Sequence, residues 1–347
     1  MGGIRQLGIE AMTVQGNHTT PGRYMAREIG EAGAVFAHAA SQDIDPAVHG
    51  LADRQAFYTV ARGSSDAAAN ILSYEFMREL GVPVTSLPPS VFSIGGGVSM
   101  RDAAALIISQ SGASDDLIHT ARGMRAKGAC VAAITNVPGS GVEGAADLTV
   151  PIGAGEEWAV PATKTVIGSV GAGIALLSAL KPDYGWRAAD GIAVLAAMEG
   201  LAKDRHEALR AGLLRARHVY VVGRDTGLGT AHEVALKIKE CCAIHAEAHS
   251  ASEVLHGPLQ LATNPLTVLV LDSGAPGTAD SLDTAEARFR DQGCDVHRVD
   301  AGLPGLTPAI AAAAILRRVY PVILDTALAL GHDPDNPATL SKVTRTR

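Results

Sequence analysis

The sequence has few aromatic residues and no excess of basic charge, and both shortages restrict its fold and function. Aromatic side chains make up 4% of the 347 residues, and much of the 47% apolar share is Ala, Val, Ile and Leu. This composition is typical of parallel strands that are covered on both faces by Ala-rich helices. The formal net charge is −7, so the chain lacks the basic face with which proteins hold nucleic acid or an anionic membrane. Any anion that it binds must be held by a local site.

Cysteine is also scarce, and long hydrophobic runs are missing. The four cysteines, Cys130, Cys241, Cys242 and Cys294, show no metal-ligand spacing, and an adjacent pair on a helix rarely forms a disulfide. The sequence shows neither a signal peptide nor a dinucleotide fingerprint, and its longest apolar stretch, residues 166–180, is too short to cross a bilayer. We therefore expect a cytoplasmic protein that has buried thiols and needs neither a metal nor an organic cofactor. The apolar stretch is expected to form a buried helix.

Two halves of the chain carry the same order of signals, about 160 residues apart, as expected for a duplicated domain. In the first half a strand at 57–61 leads into a helix at 66–80, and in the second a strand at 219–222 leads into a helix at 229–244. Strands that alternate with helices predict an α/β fold with a doubly wound, flavodoxin-like parallel sheet in each half. The predicted organisation is an N-terminal helical segment (1–44), a first domain (45–190), a second domain (200–332) and a C-terminal tail (333–347).

Two further helices are predicted beside the repeated halves. Residues 20–38, which begin with Thr20-Pro21, predict a helix that packs across the domains. Residues 181–217 predict one amphipathic linker helix between the domains. The Gly- and Pro-containing residues 331–337 cannot continue a helix, so the last residues are expected to form a tail.

A serine-rich turn follows an apolar strand of the first half. Ser109, Ser111 and Ser114 surround Gly112 where this strand meets the next helix. Unpaired N–H groups and the positive end of the helix dipole stabilise an anion at such a junction. The turn has no Lys and lacks the spacing of a nucleotide P-loop, so it suits one phosphomonoester, such as a phosphosugar, better than a triphosphate. The alternative is that the serines only cap the helix.

Titratable residues are concentrated in the second half of an otherwise apolar chain. Glu233, Lys237 and Glu240 lie on one stripe of the predicted helix, and His256 lies on the turn before Gly257-Pro258. A stripe of alternating charge is commonly only a solvated face, and a lone His on a turn is commonly a surface residue. In the first half, the acidic residues at 156 and 157 either cap the following helix or line a cleft. Clustering of titratable groups is nevertheless what acid–base chemistry at neutral pH requires.

Seven motifs, taken together and in order, resemble the sugar isomerase (SIS) family, in the two-domain arrangement of the isomerase half of the glucosamine-6-phosphate synthases. They are Ser109-Gln110-Ser111-Gly112, Asn136-Val137-Pro138-Gly139-Ser140, Ala162-Thr163-Lys164, residues 233–240, His245-Ala246-Glu247-Ala248, His256-Gly257-Pro258 and the tail residues 335–342.

The resemblance implies a role for each matching residue. It implies that Glu240 moves a proton between C1 and C2 of the sugar, that Lys237 steadies the enolate-like intermediate, and that Lys342 reaches the open-chain carbonyl. It also implies that His256 opens the pyranose ring and comes from the neighbouring subunit, so that a homodimer is expected. The residues that it implies for binding the sugar phosphate are Gly63, Ser65, Ser109, Gln110, Ser111 and Ser114.

Departures from the synthases point to altered substrate contacts, because Ala162 stands in place of a serine that touches the sugar and Arg62 in place of a cysteine. The chain goes almost directly into the isomerase half, so we expect no production of ammonia from glutamine. The helix that begins near Thr20 resembles that of the SIS-type glucosamine-6-phosphate deaminases.

The predicted activity is conversion of glucosamine 6-phosphate into fructose 6-phosphate and ammonia. The alternatives are an ammonia-dependent aminotransferase, a galactosamine- or tagatose-phosphate isomerase, a deglycase of sugar-phosphate amine adducts, and a phosphosugar sensor without catalysis.

Overall fold

Two parallel β-sheets organise the chain in the computed structural model, which describes residues 20–44 and 49–342. The first sheet has the order β2-β1-β3-β4-β5 and the second the order β7-β6-β8-β9. Because both sheets repeat one order of parallel strands, that of flavodoxin-like folds, the predicted α/β fold class is confirmed. The strands are β1 (Ala56–Val60), β2 (Val84–Ser86), β3 (Ala103–Ser109), β4 (Cys130–Thr135), β5 (Leu148–Pro151), β6 (His218–Gly223), β7 (His245–Ser250), β8 (Thr267–Asp272) and β9 (Asp295–Asp300).

Helices connect the strands and fill the space between the two sheets. Within the described ranges, no helix is both long and apolar enough to cross a membrane. The helices are α1 (Arg23–Ala40), α2 (His49–Ala52), α3 (Ser64–Leu80), α4 (Ser90–Ser93), α5 (Asp115–Ala126), α6 (Lys164–Leu180), α7 (Pro182–Ala197), α8 (Lys203–Arg215), α9 (Thr226–Cys242), α10 (Ala279–Asp291) and α11 (Pro308–Ala329).

The helices outside the repeat differ in part from the prediction. The helix expected over 20–38 begins at Arg23, since Gly22 has a positive φ of 70° and marks the turn before it. The single linker helix expected over 181–217 is wrong, because α7 and α8 are separate helices. The chain becomes extended at Met198, and the exposed Gly200 follows, which has little tendency to continue a helix. The apolar stretch at 166–180 is the buried helix α6, as predicted.

One hydrophobic core runs through both domains. It contains the inner face of each sheet together with buried residues of α1, α3, α6, α9 and α11. Separate, smaller cores lie under α5 on the outer face of the first sheet and under α10 on the outer face of the second. The two domains are therefore packed through a shared layer of helices, and α1 packs within this layer as predicted.

Helices α3 and α9 bring the two domains into close contact. A Cβ atom added at Gly229 of α9 would lie 2.6 Å from the backbone nitrogen of Ile71 in α3, so the two helices meet at backbone distance. Each of these helices follows the first strand of its sheet. Their contact brings side chains from the second domain to the carboxyl end of the first sheet.

Candidate active site

Two helices begin at the carboxyl ends of β1 and β3, on either side of the point where the strand order of the first sheet reverses. Helix α3 begins after Gly63, at φ 54°, and α5 begins after Ser114. Gly63 has no side chain with which to cap α3, and the Ser114 side chain makes no capping hydrogen bond to α5. Since the Ser114 hydroxyl does not cap α5, the interpretation of this turn as a cap alone loses support. The positive ends of both helices instead face the crevice where open α/β sheets bind ligands.

The serine turn is held in shape by short contacts. The Ser109 and Ser111 hydroxyls accept hydrogen bonds from the backbone nitrogens of Gly112 (3.1 Å) and Ala113 (3.3 Å). Gly112 has a φ of 59°, and a Cβ atom at this position would lie 2.1 Å from Oγ of Ser140. Only glycine fits here, and it lets the 136–140 turn pack directly against the serine turn.

A cavity of about 390 Å³ opens in front of these helix ends. Residues of both domains and of the tail line it, including Ala162 at the position noted above. The residues implied for phosphate binding and three of the four implied catalytic residues all border this space. They are Gly63, Ser65, Ser109, Gln110, Ser111, Ser114, Lys237, Glu240 and Lys342.

Lys237 of α9 is bound by several polar side chains at the cavity. Its Nζ donates to Oγ of Ser64 at 2.8 Å and to Oε2 of Glu240 at 2.5 Å, and lies 3.5 Å from Oε1 of Glu233. Burial on its own lowers the pKa of Lys237, but the charges of Glu233 and Glu240 outweigh burial and raise this pKa above its usual value. Lys237 is therefore a fixed positive charge beside Glu240.

Glu233 lies beneath this pair, without contact to solvent. Its Oε1 accepts a hydrogen bond from the Tyr320 hydroxyl at 3.0 Å, while Oε2 has no hydrogen-bond partner within the described residues. Burial raises the pKa of Glu233 to about 7, although the nearby Lys237 charge acts in the opposite direction. The stripe on α9 is thus a buried network and not a solvated face.

The tail is bound to the body of the protein and reaches the cavity. The carboxylate of Asp335 accepts hydrogen bonds from the backbone nitrogens of Tyr24 (2.9 Å) and Met25 (3.0 Å), at the start of α1. Further along, Nζ of Lys342 donates to Oε2 of Glu157 at 3.1 Å and to the carbonyl oxygen of Ala159 at 2.6 Å. As far as residue 342, this path is consistent with the prediction that the tail closes the site. Residues 343–347 lie outside the described ranges.

Glu157 belongs to the loop that leads into α6, and it decides between the two interpretations of the acidic pair. Its carboxylate is buried and accepts hydrogen bonds from the backbone nitrogens of Thr163 and Thr165, at the start of the helix. Glu157 therefore caps α6 and also holds Lys342, whereas Glu156 is exposed. Lys164 of the neighbouring motif pairs with Glu31 at 2.7 Å and does not border the cavity.

His256 is the one implied catalytic residue that does not border the cavity of its own chain. It is exposed on the turn between β7 and the short helix Pro258–Thr263. An exposed position on a turn leaves the His256 side chain accessible to a second subunit.

The sequence patterns assigned no role to Ser64, and they singled out Arg62 and Glu233 without a specific role in the site. Arg62 and Ser64 border the cavity, and Glu233 lies directly below it. The signal for Ser64 was present, because it adjoins Ser65 in the first turn of α3. The signal for Glu233 was its place on the same stripe as Lys237 and Glu240.

Another cavity within the described residues is larger but lies away from the predicted site residues. This cavity, of about 820 Å³, lies at the amino ends of β6, β7, β8 and β9. Ligands of open α/β sheets bind at the opposite, carboxyl ends. Among residues 20–44 and 49–342, no cluster of three or more His, Cys, Asp and Glu side chains is arranged to hold a metal ion.

Comparison with known proteins points to one family. The SIS domain family matches residues 50–179 and 212–297. The glutamine–fructose-6-phosphate aminotransferase (isomerizing) of Pyrobaculum aerophilum is 30% identical over 345 residues, which cover 92% of this chain and 57% of the relative. The chain thus spans about half the length of the curated relatives it matches.

Solved structures agree with this match. A proposed phosphosugar isomerase of Silicibacter pomeroyi superposes with a TM-score of 0.77 at 28% identity, covering 90% of this chain and 99% of that one. The glucosamine-6-phosphate deaminase of Thermotoga maritima shares the fold, with a TM-score of 0.72 at 18% identity over 93% of this chain and 100% of its own. With two family matches, one in each sheet-forming half, the chain belongs to the SIS domain family and carries two tandem SIS domains.

Proposed function

We propose that the protein is a phosphosugar aldose–ketose isomerase that converts glucosamine 6-phosphate into fructose 6-phosphate and ammonia. The observation that carries this proposal is the shared cavity. Hydroxyl groups and helix N-termini of the first domain border the same space as Glu240 and Lys237 of the second domain and Lys342 of the tail. An anion-binding end next to a carboxylate–lysine pair fits a substrate with a phosphate at one end and a carbon acid at the other.

The chemistry follows from the two ends of the cavity. The phosphate binds among the serines, and this remote binding energy orients the open-chain sugar. Glu240 removes the proton from C2 while O1 gains a proton, which gives an enaminol, and the proton returned to C1 leaves an imine at C2. Water adds to C2 and ammonia leaves, giving the ketose. The fixed charge of Lys237 stabilises the negative charge that develops on oxygen during proton transfer.

The relatives support this class of reaction. The Pyrobaculum relative is named as an isomerizing aminotransferase of fructose 6-phosphate, and the Thermotoga structure as a glucosamine-6-phosphate deaminase. The same C1–C2 proton transfer is required in either direction. The direction proposed here is the deaminating one, with water as the acceptor of the sugar carbon.

The direct test is incubation of the purified protein with glucosamine 6-phosphate, with ammonia and fructose 6-phosphate measured by separate coupled assays. We expect both products in equal amounts. Galactosamine 6-phosphate, tagatose 6-phosphate, and fructose 6-phosphate with ammonium are tested in parallel. Turnover of one of these without ammonia release from glucosamine 6-phosphate would show that the substrate is assigned wrongly.

A Glu240→Gln variant tests whether the site is catalytic. Loss of a general base reduces turnover by about 10²- to 10⁴-fold, whereas the phosphate end of the site is unchanged and binding of fructose 6-phosphate persists. Glu199→Gln, at an exposed position between α7 and α8, is the matched control and is expected to retain full activity. A wild-type protein that binds phosphosugars with no turnover, and a variant that binds them equally, would identify a sensor instead.

A further inference from the structure

Arg62 stands at the serine end of the cavity, between β1 and α3. Its side chain is 45% exposed, and one terminal nitrogen pairs with Oδ2 of Asp116. Within the described residues, Nε and the other terminal nitrogen of Arg62 have no hydrogen-bond partner. A planar guanidinium with N–H groups left to donate can bind phosphate oxygens while it keeps its carboxylate partner.

The other two cations that border the cavity are already committed elsewhere. Lys237 donates to Ser64 and Glu240, and Lys342 donates to Glu157 and the Ala159 carbonyl. Lys237 therefore serves the end where Glu240 lies, and Lys342 is held by the loop that precedes α6. Of the described side chains that border the cavity, Arg62 is the cation beside the serine turn.

The start of α5 carries negative charge that would repel a bound phosphate. Asp115 and Asp116 occupy its first turn, and Asp116 is buried, with Oδ1 lacking a hydrogen-bond partner in the described part of the chain. An unneutralised carboxylate here would oppose a phosphate dianion at the same helix start. The contact with Arg62 removes that opposition.

We propose that Arg62 takes part in phosphate recognition at this site and bridges Asp116 and the phosphate. The inference rests on the proposed function only in placing the sugar phosphate at the serine end. It assigns a binding role to a position where the synthases have a cysteine, so the phosphate of this protein's substrate is held by a side-chain cation in addition to hydroxyl and N–H groups.

The test uses inorganic phosphate as the probe and calorimetric titration of the full chain as the measurement. Arg62→Gln is expected to weaken phosphate binding by about 10- to 100-fold, the usual range for a lost charge-assisted hydrogen bond. Arg62→Lys keeps the charge without the planar fork and is expected to recover part of the binding. Arg101→Gln, exposed before the amino end of β3, is the matched control and is expected to bind phosphate as the wild type does.

The Asp116→Asn variant tests whether Arg62 binds the phosphate itself or acts only on Asp116. If Arg62 binds the phosphate, this variant retains the wild-type affinity for phosphate or exceeds it, because one opposing charge is gone. If Arg62 only neutralises Asp116, the double variant Arg62→Gln/Asp116→Asn binds phosphate as tightly as Asp116→Asn alone, which would overturn the inference. Unchanged phosphate affinity in a folded Arg62→Gln protein, verified by its thermal melting curve, would also overturn it.

Kinetics with glucosamine 6-phosphate give a second readout. Arg62→Gln is expected to raise KM by at least about tenfold and to change kcat by less than about threefold, since the residue is remote from C1 and C2. Because phosphate titration needs no turnover, the two proposals fail separately. Arg62-dependent phosphate binding without ammonia release would reject the proposed reaction and retain the role of Arg62.

Discussion

At the scale of single residues, the buried charges on α9 decide what the site can do. The ammonium group of Lys237 donates hydrogen bonds to Ser64 and Glu240 and forms an ion pair with Glu233. Of the two carboxylates, Glu240 has a side chain that remains partly exposed, at 24%, and borders the cavity, whereas Glu233 is fully buried. Glu240 is therefore the carboxylate that can contact a substrate. Glu233 is the buried carboxylate that pairs with Lys237 on the side away from the cavity.

Glu233 makes the stability of the fold depend on pH. Its pKa is raised to about 7 by burial, above the value near 4.3 in an unfolded chain. A group with a raised pKa contributes stability that is present below the unfolded pKa and lost as pH rises through the folded one. We therefore expect Glu233→Gln to gain about 2–3 kcal/mol relative to the wild type between pH 5 and pH 8.

This expectation is checked by urea unfolding of wild type and variant at both pH values. Glu207→Gln, a matched change on the surface of α8, whose partner Arg210 lies at 3.4 Å, is expected to give the same stability difference at both. A constant difference for Glu233→Gln across this pH range would show that the carboxyl is ionised throughout.

At the scale of elements, the tail and α1 complete each other. Gly22 has no side chain to cap α1, and the Asp335 carboxylate, more than 300 positions away, accepts hydrogen bonds from the first-turn N–H groups of Tyr24 and Met25. The Asp333 carboxylate accepts one from the N–H group of Gly22, just before the helix. Lys342 follows seven residues after Asp335 in the sequence. The helix start therefore fixes where the tail runs, and the tail brings Lys342 to the cavity.

Asp335→Ala tests this coupling of α1 to the tail. Loss of the cap is expected to cost about 1–2 kcal/mol of stability, and kcat/KM is expected to fall by about tenfold or more because Lys342 is no longer held in place. Activity and chemical unfolding are measured together. Asp325→Ala on the exposed side of α11, where Asp325 pairs with His206 at the surface, is expected to change neither appreciably. Loss of stability with full activity would show that Lys342 needs no support from the cap.

The fluorescence of Trp158 offers a way to detect release of the tail from α1. Its ring stacks on that of Tyr24 at 6.0 Å, next to the residues that bind Asp335 and Lys342. Trp186, the other tryptophan, is 77% exposed and lies on α7. In a Trp186→Phe background, release of the tail is expected to alter the emission of Trp158.

At the scale of the whole molecule, the oligomeric state bears on the active site, because His256 is exposed and does not border the cavity of its own chain. In a homodimer with a two-fold axis, a residue donated by each subunit to the other gives two equivalent composite sites. Glu240→Gln and His256→Asn homodimers are each expected to be inactive or strongly impaired. Mixed dimers of the two variants contain one site with both native residues.

Random mixing of the two inactive variants is therefore expected to restore about a quarter of the wild-type activity. The mixture is prepared by co-expression or by exchange of subunits, and the homodimers alone serve as controls. Complementation fails if His256 acts within its own chain, and it also fails if the protein is a monomer in solution, which sedimentation would show independently.

The sequence by itself determined the elements and their order. The apolar strands, the helix starts and the repeat fix two parallel sheets, because each depends on local propensity or on the polarity pattern of a few consecutive residues. The serine turn was recognisable for the same reason, since the strand, turn and helix that form it are contiguous. The linker, by contrast, was predicted as one helix because the break at 198–202 is only weakly marked in the sequence.

Only the tertiary structure decided how these elements make one site. Ser64 and Lys237 are 173 positions apart, and their contact depends on the close crossing of α3 and α9 at Gly229. The pairing of Arg62 with Asp116 and the buried state of Glu233 likewise depend on packing between elements, which no local pattern encodes. A side chain's neighbours set its charge state and its free hydrogen-bonding groups, so the chemistry of this cavity could be assigned only once those neighbours were known.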